Sequence, residues 1–136
     1  ADKGRMFFHS SSYTANPIAC AAANANLAIW HDEPVMERIS TLARMQSDRL
    51  DLLKAHPAVR NARICGTITA MELDRPDSAY LSALGQELLA RFREMDVLLR
   101  PLGNSIYVMP PYCIGASDLA AVYEAIASAA DQMSRA

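Results

Sequence analysis

Two stretches of this chain hold residue types that could do chemistry. The first is His9-Ser10-Ser11-Ser12-Tyr13-Thr14-Ala15-Asn16-Pro17, a run of hydroxyls that ends in a helix start. Hydroxyls beside the free N–H groups of a helix N-terminus suit an anion, phosphate above all. An ordinary serine-rich loop has the same composition, and phosphate loops usually carry more glycine. His9, next to Phe7 and Phe8, reads first as a packed or hydrogen-bonded side chain. The second stretch is Val97 to Tyr112, VLLRPLGNSIYVMPPY, in which Arg100 follows three apolar residues. Such a guanidinium either snorkels to solvent or meets a carboxylate through its planar fork.

Nothing else in the chain forms a catalytic set. There is no metal-ligand spacing, no nucleophile elbow and no P-loop, and Glu72 and Asp96 have no partner assigned by sequence. The lysines are Lys3 and Lys54, and Lys54 stands at a helix end where a cation complements the dipole. Cys20, Cys65 and Cys113 are three in number and show no CxxC pattern, which suits reduced thiols and a cytoplasmic setting. A net charge of -2 without a basic block argues against nucleic acid as a partner. No apolar run approaches the roughly 20 residues that span a bilayer.

The elements that must position these residues follow from periodicity. With 136 residues, 51% of them hydrophobic, the chain suits one domain with a real core. Asn16 as N-cap and Pro17 at the first position open a helix over Ile18 to Trp30, rich in alanine. Asp32 is a candidate cap for a second helix whose apolar face is Val35, Ile39, Leu42, Leu50 and Leu53. Val59 to Leu73 has a β-like period broken at Gly66, where a bulge is expected in one bent strand or between two. Asp74 to Ser78 is a turn capping a helix with Leu81, Leu84, Leu88, Phe92 and Met95 on one stripe. Val97 to Leu99 and Ile106 to Met109 then read as a hairpin around Gly103-Asn104, stopped by Pro110-Pro111. Ser117 caps a last helix that buries Leu119, Val122, Ile126 and Met133. The expected order, α-α-β-α-β-β-α, is that of a two-layer α+β domain, a mainly antiparallel sheet covered by helices. Phe7, Phe8 and the alanine-rich helix would leave apolar surface bare, so the chain is expected to pack against further protein.

The run FFHSSSYTANPIACAAANANLAIW resembles the H-G-x-T-Y-x-G-N-P-L-A-C-A segment of class III, pyridoxal-phosphate-dependent aminotransferases. VLLRPLGNSIYVMPPY resembles the C-terminal segment of those members that act in biotin synthesis. The resemblance runs from about Phe7 to the end, so the chain looks like the C-terminal portion of such an enzyme. It implies the small C-terminal domain of a fold type I transferase over 16–136, with 1–15 a loop of the large-domain and dimer-interface region. It further implies a cytoplasmic homodimer with shared active sites, small-molecule substrates and pyridoxal 5'-phosphate as cofactor. The implied reaction moves an amino group from S-adenosylmethionine to 8-amino-7-oxononanoate.

Site residues carry over by position. Ser12 stands at the loop threonine that binds the cofactor phosphate of the neighbouring subunit, keeping the hydroxyl and losing the methyl. Ser10 and Ala15 replace family glycines. Tyr107 occupies the position where many class III enzymes hold the substrate α-carboxylate with an arginine. Arg100 matches the arginine that meets the distal carboxylate of the keto acid, and Tyr107 is its neighbour on the returning strand. The family's Schiff-base lysine lies tens of residues before the His9 loop, so Lys3 is too close to be it. The resemblance thus assigns no catalytic residue to this chain and implies an inactive fragment when it stands alone. Two other readings stay open: a stand-alone carboxylate-binding or regulatory module, and another class III omega-amino-acid transaminase.

Overall fold

The computed structural model describes residues 14–73 and 84–134. Phe7, Phe8, His9, Ser12, the Asp74 to Ser78 turn and Leu81 lie outside the described residues. The chain divides after Val35 into two compact units. In the first, α1 spans Pro17–Asp32, and its start is built as the sequence suggests: the Asn16 side chain accepts from the Ile18 N–H at 3.0 Å, with Pro17 at the first position. That bond satisfies one of the amides a helix start leaves without an intrahelical partner. No residue of α1 is buried; Ile18 is 80% exposed and Leu27 64%. Asp32 is the last residue of α1 and does not cap the next helix. The α1 carbonyl of Ile29 instead accepts from Glu33, and the Glu33 carbonyl accepts from Val35, where α2 (Val35–Lys54) begins.

The second unit is a three-stranded antiparallel sheet in the order β1-β2-β3 with helices on one face, the α+β architecture expected. Val59 to Leu73 forms two strands, β1 (Val59–Cys65) and β2 (Ile68–Leu73). Cys65 pairs with Ile68, leaving Gly66-Thr67 as a two-residue loop. Gly66 takes a φ of 57°, which the first position of a type II′ hairpin turn requires and glycine adopts without a Cβ penalty. Gly66 is therefore the turn and not the expected bulge. The bulge lies at Asn61 (φ 51°), where the register slips between Arg60 and Arg63. Asparagine tolerates this left-handed conformation better than most side chains.

The third strand, β3 (Ser105–Val108), adds to β2 with Tyr107 opposite Ala70 and Ile106 opposite Met71. Val97 to Leu99, expected to be its hairpin partner, is not a strand. Those residues leave the end of α3 (Leu84–Glu94), and β3 takes its full ladder from β2. One core joins the layers. Leu42, Leu50 and Leu53 from α2, Leu84, Leu88 and Phe92 from α3, and Leu119 and Ile126 from α4 (Ala116–Met133) meet Met71, Leu73, Ile106 and Val108 from the sheet. Met95, assigned to the same stripe by spacing, is 40% exposed beyond the last turn of α3. At the start of α4 the N-cap is Gly115, without a side-chain bond, and Ser117 lies inside the helix.

Gln46 sits in the middle of the apolar face of α2 and is fully buried. Its amide donates to the Thr67 carbonyl at 2.9 Å and to the Val108 carbonyl at 3.4 Å, reaching the β1–β2 turn and the end of β3. Its Oε1 accepts from the Tyr123 hydroxyl of α4, and that hydroxyl shares a 2.7 Å bond with Thr69 on β2. One side chain thus ties a helix, a turn, two strands and a second helix. Leaving any buried member unsatisfied costs about 1 to 3 kcal/mol, more than a typical bond contributes net.

Burial raises the pKa of Tyr123, against a smaller opposing effect of the Thr69 hydrogen bond. The neutral phenol is thus favoured in the folded state. Stability from this group is complete below about pH 10, where an unfolded tyrosine is still protonated, and falls as pH rises through the folded value. Tyr123→Phe is expected to lower stability by about 1 to 2 kcal/mol at neutral pH. It should also flatten the alkaline loss of stability. Urea unfolding of both proteins at pH 7 and above pH 10 checks this; parallel alkaline losses would mean that Tyr123 ionises as freely folded as unfolded.

Candidate functional site

Arg100 is carried on a segment fixed at both ends. At the first end, α3 closes with the Asp96 N–H bonded to the Arg93 carbonyl at 3.1 Å and the Val97 N–H to the Phe92 carbonyl at 2.8 Å. Asp96 has a φ of 57°. This is a Schellman closure, in which the residue after the left-handed one is apolar and packs back on the helix. Val97 and Phe92 are both in the core. Burial then alternates: Leu99 is 8% exposed, while Leu98 (83%) and Arg100 face outward. The period of two places the Arg100 side chain on the solvent side of an extended run. Arg100 makes no hydrogen bond or ion pair with another described residue.

At the second end, Leu102 and Ser105 exchange backbone bonds of 2.9 and 3.0 Å around Gly103-Asn104, with Gly103 at a φ of 62°. The tight turn expected there is present. The Asn104 carbonyl accepts from the Leu73 N–H at 3.0 Å, which ties the turn to the end of β2. Tyr107 follows on β3 between buried Ile106 and Val108, so its half-buried ring lies on the sheet face away from the core. The turn brings Arg100 and Tyr107 onto adjoining backbone segments, and no hydrogen bond joins their side chains.

The other ionisable candidates have structural work. Glu72 accepts from the Asn61 side chain at 2.8 Å and lies 3.6 Å from Arg63, so the bulge residue and its neighbour hold the carboxylate. Sequence spacing could not show this, because the slip in register decides which β1 residues face Glu72. His56 accepts from the Ala58 N–H and bonds Asp131 at 3.0 Å, linking the end of α2 to α4. Lys54 is paired with Asp51 at 2.7 Å in an exposed helix end. Among the described residues no cluster of His, Cys, Asp or Glu could hold a metal ion. Before α1, Ala15 has a φ of 52°. It takes the left-handed backbone that the glycine at this place in the resembled loop would adopt at no steric cost.

Residues 2–130 match the family model for aminotransferase class-III. The chain belongs to the class-III aminotransferase family. It is 38% identical over 127 residues to the adenosylmethionine-8-amino-7-oxononanoate aminotransferase of Synechococcus elongatus, covering 93% of this chain and 30% of that protein. To the enzyme of the same name from Helicobacter pylori it is 37% identical over 120 residues, covering 83% of this chain and 26% of the relative. The chain thus spans under a third of these class-III relatives. Among solved structures it resembles the adenosylmethionine-8-amino-7-oxononanoate aminotransferase of Methanocaldococcus jannaschii, with a TM-score of 0.77 and 26% identity over 94% of this chain and 30% of that one. It also resembles the omega transaminase of Pseudomonas jessenii in complex with PMP, with a TM-score of 0.73 and 29% identity over 88% of this chain and 27% of that one.

The Schellman closure generates a test that does not involve the reaction. Asp96 pays for a left-handed backbone with a Cβ and places a negative charge at a helix C-terminus, both unfavourable. Asp96→Gly should stabilise the protein by about 1 kcal/mol. Urea midpoints of the two proteins measure it, and a destabilised variant would show that the Asp96 side chain contributes more than its backbone costs.

Proposed function

We propose that this chain is the C-terminal portion of a pyridoxal-phosphate-dependent transaminase that moves an amino group from S-adenosylmethionine to 8-amino-7-oxononanoate. In this reading Arg100 holds the carboxylate at the far end of the keto acid. The observation that carries it is an outward guanidinium, free of partners among the described residues, on a segment anchored at both ends. A planar fork suits a carboxylate better than an ammonium would. Relatives named for this substrate support the assignment. Tyr107, in place of an arginine, leaves that position without the cation that would hold a substrate α-carboxylate and favours a substrate with one remote carboxylate.

The cofactor, when bound, supplies the aldehyde that accepts and passes on the amino group. Lys54, the lysine among the described residues, stands at the exposed end of α2 in an ion pair with Asp51. We assign the lysine to the remaining part of the enzyme and no catalytic residue to this chain, which is inactive alone. Residues 1–15 belong to the large-domain and dimer-interface region and 16–136 to the small domain. The enzyme works as a cytoplasmic homodimer, in which Ser12 donates to the cofactor phosphate in the other subunit's site.

Arg100→Ala in the full-length enzyme should weaken the keto-acid half-reaction by about 2 to 5 kcal/mol in kcat/KM, mostly through KM, because the contact lies far from the reacting carbonyl. Arg100→Lys should recover part of this. Single-turnover kinetics with each substrate separately decide it: equal losses for amino donor and keto acid would mean that Arg100 supports the fold.

Ser12→Ala is expected to weaken cofactor binding by about 1.5 to 3 kcal/mol, the range for a hydrogen bond to a charged group. Equilibrium titration of the dimer with pyridoxal phosphate measures this, and unchanged affinity removes Ser12 from the site.

A further inference from the structure

Arg91 stands in the last turn of α3, half-buried, and its Nη1 is closed off from solvent without a hydrogen-bond partner. No other described side chain has such an atom. With 3.6 residues per turn, Arg91 falls about 20° from Leu84 and about 60° from Leu88 around the helix, at the edge of the buried stripe. The carboxylates that a helical arginine would ordinarily take are Glu87, one turn before, and Glu94, three residues on. Arg91 bonds neither, and no hydrogen bond or ion pair joins it to another described residue. The fold covers one nitrogen of the fork and gives it no acceptor. Met95, one turn further on, is 40% exposed, so bare apolar surface adjoins this cation.

A charge that has lost part of its hydration needs a counter-charge more than a fully solvated one does. Because the side chain is only half-buried, the rest of the fork is open to a group arriving from outside. Covering Nη1 also restrains the guanidinium plane, so less freedom is lost when a partner binds. A partly desolvated arginine beside apolar surface has the composition of an interface anchor. The chain spans under a third of its relatives, so most of the polypeptide that could meet this surface lies beyond it. We infer that Arg91 is a docking residue, which takes an Asp or Glu carboxylate from the part of its own polypeptide outside this chain. A segment of the same polypeptide is favoured over a second copy because covalent linkage holds it at high effective concentration. The inference rests on the reading of this chain as a portion of a larger enzyme and is independent of the role given to Arg100.

The test is urea unfolding of the full-length enzyme with Arg91→Met, Arg91→Lys and Arg91→Gln. Without a partner, Arg91→Met removes an unpaired, partly desolvated cation and puts a good helix former of similar length beside an apolar stripe, so the urea midpoint would hold or rise. With the carboxylate in place, the same change strands that carboxylate and should raise the unfolding equilibrium constant by about tenfold to a hundredfold. The sign of the effect therefore decides. Lysine keeps the charge and should recover part of the loss, whereas glutamine keeps donors without charge and should recover little. An unchanged or raised midpoint in Arg91→Met overturns the inference. So does a glutamine variant that recovers as much as lysine, since the acceptor would then be neutral. The deficit of Arg91→Met should be equal at low and high enzyme concentration; a deficit that grows on dilution would put the carboxylate in the partner subunit and overturn the assignment to the same polypeptide. The intact mass of the natural protein is read separately: a mass of this chain alone overturns the portion reading, and the inference with it.

Discussion

The second unit depends on the buried carboxamide of Gln46. A helix lying on a sheet through apolar contacts alone can slide or rotate at small cost, since such contacts are non-directional. Gln46 removes that freedom by bonding the Thr67 and Val108 carbonyls and the Tyr123 hydroxyl. Thr67 and Val108 lie at the same end of neighbouring strands, so α2 is registered against the sheet at the point where β3 leaves it. Thr69 completes the set through Tyr123 and brings α4 into the same register. Polar groups buried in this way set geometry more than they add stability.

That register has a consequence for the sheet's far side. With Ile106 and Val108 committed to the core, strand alternation leaves Ser105 and Tyr107 on the opposite face beside Ala70 and Glu72. A shift of one residue would exchange the two sets. The Asn61 bulge works in the same direction: it turns the Asn61 side chain and Arg63 toward Glu72, so the carboxylate on that face already has partners. An approaching anion meets a face on which Glu72 is engaged by Asn61 and Arg63.

Much of this was legible in the residues. The Asn16-Pro17 helix start, the stripe of Leu84, Leu88 and Phe92, the turn at Gly103 and the α+β class follow from local rules, and the structure has them. The two loop blocks pointed to the family. What misled was Val97 to Leu99, because three apolar residues before a turn suit a strand and a Schellman closure equally well. The difference lies in Asp96, whose positive φ cannot be read from its identity. Gln46 escaped notice for a related reason: glutamine is a good helix former and is normally exposed, so only the fold reveals that it points inward.

Ala15 shows how a family signature and the geometry behind it can part company. A pattern that demands glycine before Asn-Pro would reject this chain, although its backbone there takes the left-handed turn that glycine would supply. What persists at that position is a direction of the chain into the first helix, kept at the expense of steric strain of about 1 kcal/mol or more. Signatures written as torsion angles would therefore gather relatives that signatures written as letters leave out.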